Sequence, residues 1–213
     1  MISPMDAFQK LKDGYNIFSQ SSTKTLKVEL GPNEIADLEA GQHPYAIIVT
    51  CSDSRVEPNL IFNAGLSELF IVKTAGNIID SIGLGTIEFA LEEFNVPLIV
   101  VLGHEKCGAV KATLNSIQSR LIPNNFQACL IKSIEPAVKN AINNISMINN
   151  FSIRTNILDP NLLNKSIVEN IKLSIKSLFK SEIVTERINT KELLIIGAKY
   201  DFNGNITYLE NLK

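Results

Sequence analysis

Cysteine and histidine are both scarce in this 213-residue chain, which has 3 Cys and 2 His. So few cysteines, and an odd number of them, argue against a disulfide framework and leave metal binding or a free thiol. No apolar run exceeds strand length, far short of the roughly 20 residues that cross a bilayer. An excess of positive charge is missing too. The 20 Lys and Arg face 22 Asp and Glu and are scattered rather than massed, so no nucleic-acid footprint is expected. The opening residues Met1-Ile2-Ser3-Pro4-Met5-Asp6 carry an early acid and lack the apolar core of a signal peptide. These absences together predict a reducing compartment, most simply the cytoplasm. Asn-x-Ser/Thr triplets such as Asn144-Ile145-Ser146 then read as chance rather than as glycan sites. There is no internal repeat, low-complexity tract or linker, so one domain over 1–213 is expected, with a helical arm at 1–42 and an α/β core at 43–213.

What is present is a series of short β-branched runs. Ala46-Ile47-Ile48-Val49-Thr50-Cys51, Leu69 to Ala75, Leu98 to Leu102 and Leu193 to Ala198 read as buried strands of a mainly parallel sheet. Asn203-Gly204 is a hairpin turn that would add Ile206 to Leu209 as an antiparallel edge. Leu84, Ile87, Leu91 and Phe94 mark an amphipathic helix, and Ile134, Val138 and Ile142 line a face of another. A short helix is expected over Pro58 to Ala64. In the arm, Ala7, Leu11, Tyr15 and Phe18 recur at helical spacing, and Gly14 is expected to break or bend that helix. Pro123-Asn124-Asn125 and Asp159-Pro160 read as loops.

Two of the runs end in residues that bind metals: Cys51 closes one, and His104 with Cys107 follows another. Neighbouring parallel strands end on one edge, where ligands bind. Two thiolates and an imidazole favour zinc, and three protein ligands leave one tetrahedral position open, as in catalytic sites. Cys129 lacks a strand-end position and reads as a packing residue, and His43 as a solvated loop residue. Asp53 and Arg55 follow Cys51 closely, so a carboxylate clamped by a planar guanidinium can sit beside the open position. The bland alternative for the pair is a surface salt bridge worth little. Gly83-Leu84-Gly85 continues to Glu88 where a dinucleotide fingerprint needs Gly, and Ser52 and Ser54 have no His base in context.

Cys51-Ser52-Asp53-Ser54-Arg55-Val56 and Gly103-His104-x-x-Cys107-Gly108-Ala109-Val110 resemble the β-class carbonic anhydrases. The resemblance extends through Glu68-Leu69-Phe70, Ala75-Gly76-Asn77 and Ile195 to Asp201. It implies an α/β fold whose N-terminal helices reach onto a partner subunit, in a homodimer or homotetramer. It implies one Zn²⁺ per chain on Cys51, His104 and Cys107, with Asp53 and Arg55 as the gatekeeping pair. Gln42, Phe70, Ala75, Phe89 and Gly108 fall at positions lining the substrate pocket, which the family builds from two subunits. Three residues depart from the family pattern: Phe89 replaces a common Tyr, Ala75 a common Val and Lys73 a usual Arg. Ile48 stands where the bicarbonate-inhibited subtype has Trp, and the chain contains no Trp.

The implied reaction is reversible hydration of carbon dioxide to bicarbonate and a proton by zinc-bound hydroxide, with no nucleic-acid or membrane partner. A carbonyl sulfide or carbon disulfide hydrolase of the same fold is the nearest rival, because those substrates are also linear and apolar. A non-catalytic zinc-stabilised module is the rival from another class, and Asp53, Arg55 and Gln42 speak against it.

Overall fold

The computed structural model describes residues 2–25, 31–149 and 159–209, with backbone alone for 145–149. Its centre is a five-stranded sheet in the order β2-β1-β3-β4-β5. The strands are β1 (Ala46–Cys51), β2 (Leu69–Thr74), β3 (Leu98–His104), β4 (Leu194–Tyr200) and β5 (Ile206–Tyr208). The first four are parallel, and β5 returns antiparallel along the end of β4. β1 and β3 are buried along their whole length, as their uninterrupted apolar runs require.

The period-2 alternation of the strands divides the core. Ile47, Val49, Ile99 and Val101 face α4 (Ser81–Phe94), α5 (Gly108–Ser119), α6 (Gln127–Asn149), α7 (Pro160–Leu178) and α8 (Glu182–Asn189). Ile48, Leu98, Val100 and Leu102 face α1 (Pro4–Gln20) and α3 (Pro58–Ile61). The short helix thus ends at Ile61, inside the expected span. α1 packs Ala7, Leu11 and Phe18 onto this chain's own sheet. By contrast, α2 (Pro32–Ala40) buries none of its residues, and Ile35 and Leu38 stay exposed. Among the described residues, no helix is long and apolar enough to cross a membrane.

Three local expectations are corrected. Gly14 does not interrupt α1: it sits inside the helix, where a Cβ would overlap the carbonyl oxygen of Phe62. It is there for close approach, not for flexibility. Asp159-Pro160 begins α7 rather than forming a loop, because Asp159 Oδ1 caps the Asn161 amide and proline suits the first helical turn. Cys129 is exposed on α6 rather than packed in the core.

Candidate metal centre

The chain runs from β1 outward to β2 and then crosses to β3 on the other side, so the order of winding reverses between β1 and β3. A crevice is expected at the carboxyl ends of strands at such a switch point. Cys51 is the last residue of β1 and His104 the last of β3. Beyond β3 the chain turns through Glu105-Lys106, with Lys106 in the left-handed region (φ 55°), and Cys107 caps the start of α5. This brings Cys51, His104 and Cys107 together with their donor atoms within 4.8 Å of one another. All three are buried.

The hydrogen bonds around these residues fix their donor atoms. His104 Nδ1 lies 2.8 Å from the Glu105 carbonyl oxygen, so it carries the proton and donates. Nε2 is then a lone pair, buried and without a hydrogen-bond partner. The Gly76 amide donates to Cys51 Sγ over 3.2 Å. Gly76 takes φ 73° in the 3₁₀ turn Ala75–Asn77, and a Cβ there would press on Ile134 and Ala109. Asn170 and Ser174 of α7 anchor that turn: Asn170 Nδ2 donates to the Gly76 carbonyl and the Ser174 hydroxyl to the Asn77 carbonyl.

The two thiols lie within hydrogen-bond reach of each other, their Sγ atoms 4.0 Å apart. The hydrogen bond from Cys107 lowers the pKa of Cys51, and so does the Gly76 amide, against the effect of burial. The same bond and burial push Cys107 up, although the amides of Ala109 and Val110 at the start of α5 pull it down. Two thiol ligands and an unpartnered imidazole nitrogen in a buried cluster fit a soft, tetrahedral cation such as Zn²⁺.

Asp53 and Arg55 form a clamped pair beside this cluster. Arg55 Nε donates to Asp53 Oδ1 at 2.9 Å and Nη2 to Oδ2 at 2.7 Å. The backbone amide of Arg55 adds a bond to Oδ1. The hydrogen bonds from the Arg55 side chain hold the Asp53 carboxyl well below the usual carboxylate range. Asp53 Oδ2 stands 3.9 Å from His104 Nε2, so it borders the ligand cluster without bonding to it.

The remaining expected site residues divide in two. Gly108 opens α5 directly after Cys107, and Ala75 follows Thr74, the register partner of Cys51. Gln42, Phe70 and Phe89 lie elsewhere. Gln42 precedes β1 at the opposite end from Cys51, next to His43, whose amide donates to Ser67. Gln42 and His43 are both exposed. Phe70, near the start of β2, meets Phe94 at 6.0 Å between ring centroids, and Phe89 meets Phe94 edge-on at 5.8 Å. Phe89 is 53% exposed. Asn170, Ser174 and Phe202, whose ring lies over Arg55, were not found from the sequence, and Gly76 was read only as part of the Ala75-Gly76-Asn77 resemblance, without its bond to Cys51. Gly76 follows a strand end, a usable signal, whereas Asn170 and Phe202 give no local sign.

A sheet wound in this order carries, at its switch point, a Cys-His-Cys group that could hold a metal ion, and this defines an α/β protein with a candidate metal centre. A family model for carbonic anhydrase matches residues 46–206, and the chain belongs to that family, in its β class. These enzymes are lyases that hydrate carbon dioxide. Carbonic anhydrase 2 of Mycobacterium tuberculosis is 34% identical over 202 residues, covering 94% of this chain and 90% of that protein. A carbonic anhydrase of Mycolicibacterium smegmatis is 40% identical over 136 residues, or 64% of this chain and 65% of that one. Among solved structures, the β-carbonic anhydrase CcaA superposes with a TM-score of 0.71 at 27% identity, covering 94% of each chain. A tetrameric β-carbonic anhydrase of Sordaria macrospora shares the fold, with a TM-score of 0.73 at 20% identity over 97% of this chain and 95% of that one.

Proposed function

We propose that this chain is an active, zinc-dependent carbonic anhydrase that interconverts carbon dioxide and bicarbonate. The observation that carries this reading is the buried Cys51-His104-Cys107 set with an unpartnered Nε2, bordered by a carboxylate that its arginine holds clear of the ligands. A zinc ion bound by these three residues supplies Lewis acidity, which brings the pKa of a water to about 7 in suitable sites.

The chain's own residues do the rest. Asp53, kept charged by Arg55, accepts a hydrogen bond from the attacking water and so aims its lone pair at the carbon of carbon dioxide. The Gly108 amide and the Ala75 backbone border the same space. Bicarbonate leaves, and the proton passes to solvent or buffer. The other histidine, His43, lies at the far end of β1, so turnover should depend on buffer.

Gln42, Phe70 and Phe89 sit too far along the fold to border this chain's own ligands. We infer that they line the pocket of a second copy, in a homodimer or a pair of dimers. The exposed Ile35 and Leu38 of α2 and the outer strand β2 supply an apolar surface for that contact. The low cysteine content fits a cytoplasmic enzyme, with no nucleic acid or membrane as partner. Side-by-side turnover of carbon dioxide, carbonyl sulfide and carbon disulfide tests the substrate. Carbon dioxide as the fastest by far supports the reading, and preference for a sulfur analogue overturns it.

A further inference from the structure

Arg55 is half exposed, with 51% of its side chain open to solvent. An ion pair at such a site contributes little by itself and leaves a long side chain mobile. Yet the proposed site needs this guanidinium fixed, because a released Asp53 can reach the cluster it borders at 3.9 Å. A second contact supplies what the ion pair lacks: the Arg55 Cζ lies 4.1 Å from the centroid of the Phe202 ring. This is cation–π distance.

Phe202 is itself well fixed. Its amide donates to Glu105 Oε1 at 2.9 Å, tying it to the residue beside His104. Its ring packs edge-on against Tyr200 at 6.1 Å and lies 5.8 Å from the His104 ring. The turn that follows is closed by Asp201 Oδ1, which accepts from the amides of Asn203 and Asn205. The Tyr15 hydroxyl of α1 then braces this turn, donating to the Gly204 carbonyl and accepting from the Ile206 amide. A rigid ring on a braced turn therefore covers a guanidinium that solvent would otherwise free.

We propose that Phe202 is a positioning residue for the Asp53–Arg55 pair: its ring holds the guanidinium where it clamps Asp53 and keeps that carboxylate out of the ligand set. This rests on the reading that Asp53 and Arg55 serve the carbonic anhydrase site.

The test uses ¹⁵N-labelled, zinc-loaded protein and follows the Arg55 Nε–H group by NMR. The wild type shows nuclear Overhauser contacts between Arg55 and the Phe202 ring protons. In Phe202→Leu the Nε–H order parameter falls into the flexible range, below about 0.6. In Phe202→Tyr, which keeps the ring, it does not. The kcat/KM for carbon dioxide falls about two- to thirty-fold in Phe202→Leu, the span of such contacts, and recovers in Phe202→Tyr. Lower turnover in Phe202→Leu with Arg55 equally ordered would overturn the proposal, because the ring would then act on His104 or substrate. Absence of the wild-type contacts overturns it too, and requires no variant to fold. A wild type without turnover would sink the carbonic anhydrase reading, while the Arg55 measurements would still decide the role of Phe202.

Discussion

The Sγ atoms of Cys51 and Cys107 lie 4.0 Å apart, although 56 residues separate them in the chain. Two sulfurs each about 2.3 Å from one tetrahedral ion stand roughly 3.8 Å apart, so the pair is already spaced for zinc. The bond to Cys51 and burial both push the Cys107 thiol up, which favours its protonated form in the metal-free site. Zinc uptake at pH 7 should therefore release about one proton per ion from the pair. Titration of metal-free protein with zinc in weak buffer, followed by a pH indicator, checks this. Binding of one zinc with no proton released would show that both thiols were already ionised.

Gly14 sets helix propensity against packing. Alanine in a helix interior gains about 0.8–1 kcal/mol over glycine. Here its Cβ would meet the Phe62 carbonyl, which is backbone and cannot swing aside. Overpacking of this kind costs about 1–3 kcal/mol and outweighs the gain. The net cost is about 0–2 kcal/mol, so Gly14→Ala should lower Tm by up to about 8 °C in thermal unfolding. A raised Tm would mean that α1 shifts freely on α3.

Subunit mixing tests the shared pocket. Gln42→Ala should impair one copy's contribution to its neighbour, and Cys51→Ala should remove a copy's own metal ligand. If the pocket spans two copies, refolding an equal mixture restores about a quarter of wild-type activity: half the dimers are mixed, and each has one complete site. A mixture no more active than the mean of the two variants alone would place Gln42 outside its neighbour's pocket.

Asp53 has a folded pKa depressed below the unfolded value near 3.9. Its stabilising effect is present above that value and is lost as pH falls through the lower folded pKa. Metal-free Asp53→Asn should melt below the wild type at pH 6, by a few degrees at most because the pair is partly exposed, and the gap should narrow as pH falls below the unfolded value near 3.9. A gap that widens in acid would mean that Arg55 does not clamp this carboxylate.

The parallel sheet and the convergence of Cys51, His104 and Cys107 were legible because each is written locally. Unbroken β-branched runs mark strands buried on both faces, and Cys51 and His104 end two of them. The braces around them were not legible, because they come from afar. Asn170 reaches the Gly76 carbonyl across 94 residues, and the Phe202 amide reaches Glu105 across 97. Gly14 misled for the same reason: a breaker by propensity, it is a contact point by packing. Asp159-Pro160 did carry its signal, since a capping acid before proline is a helix start as well as a turn.

Stopped-flow carbon dioxide hydration at about pH 7 and about pH 9, with zinc-loaded and metal-free protein, tests the central claim most directly. Asp53 stays charged across this range, so the pH dependence should come from the acidified water and rise toward pH 9. The account predicts rapid, alkaline-rising turnover that disappears when zinc is removed and returns when it is restored. No turnover at either pH, with one zinc bound per chain, would contradict it.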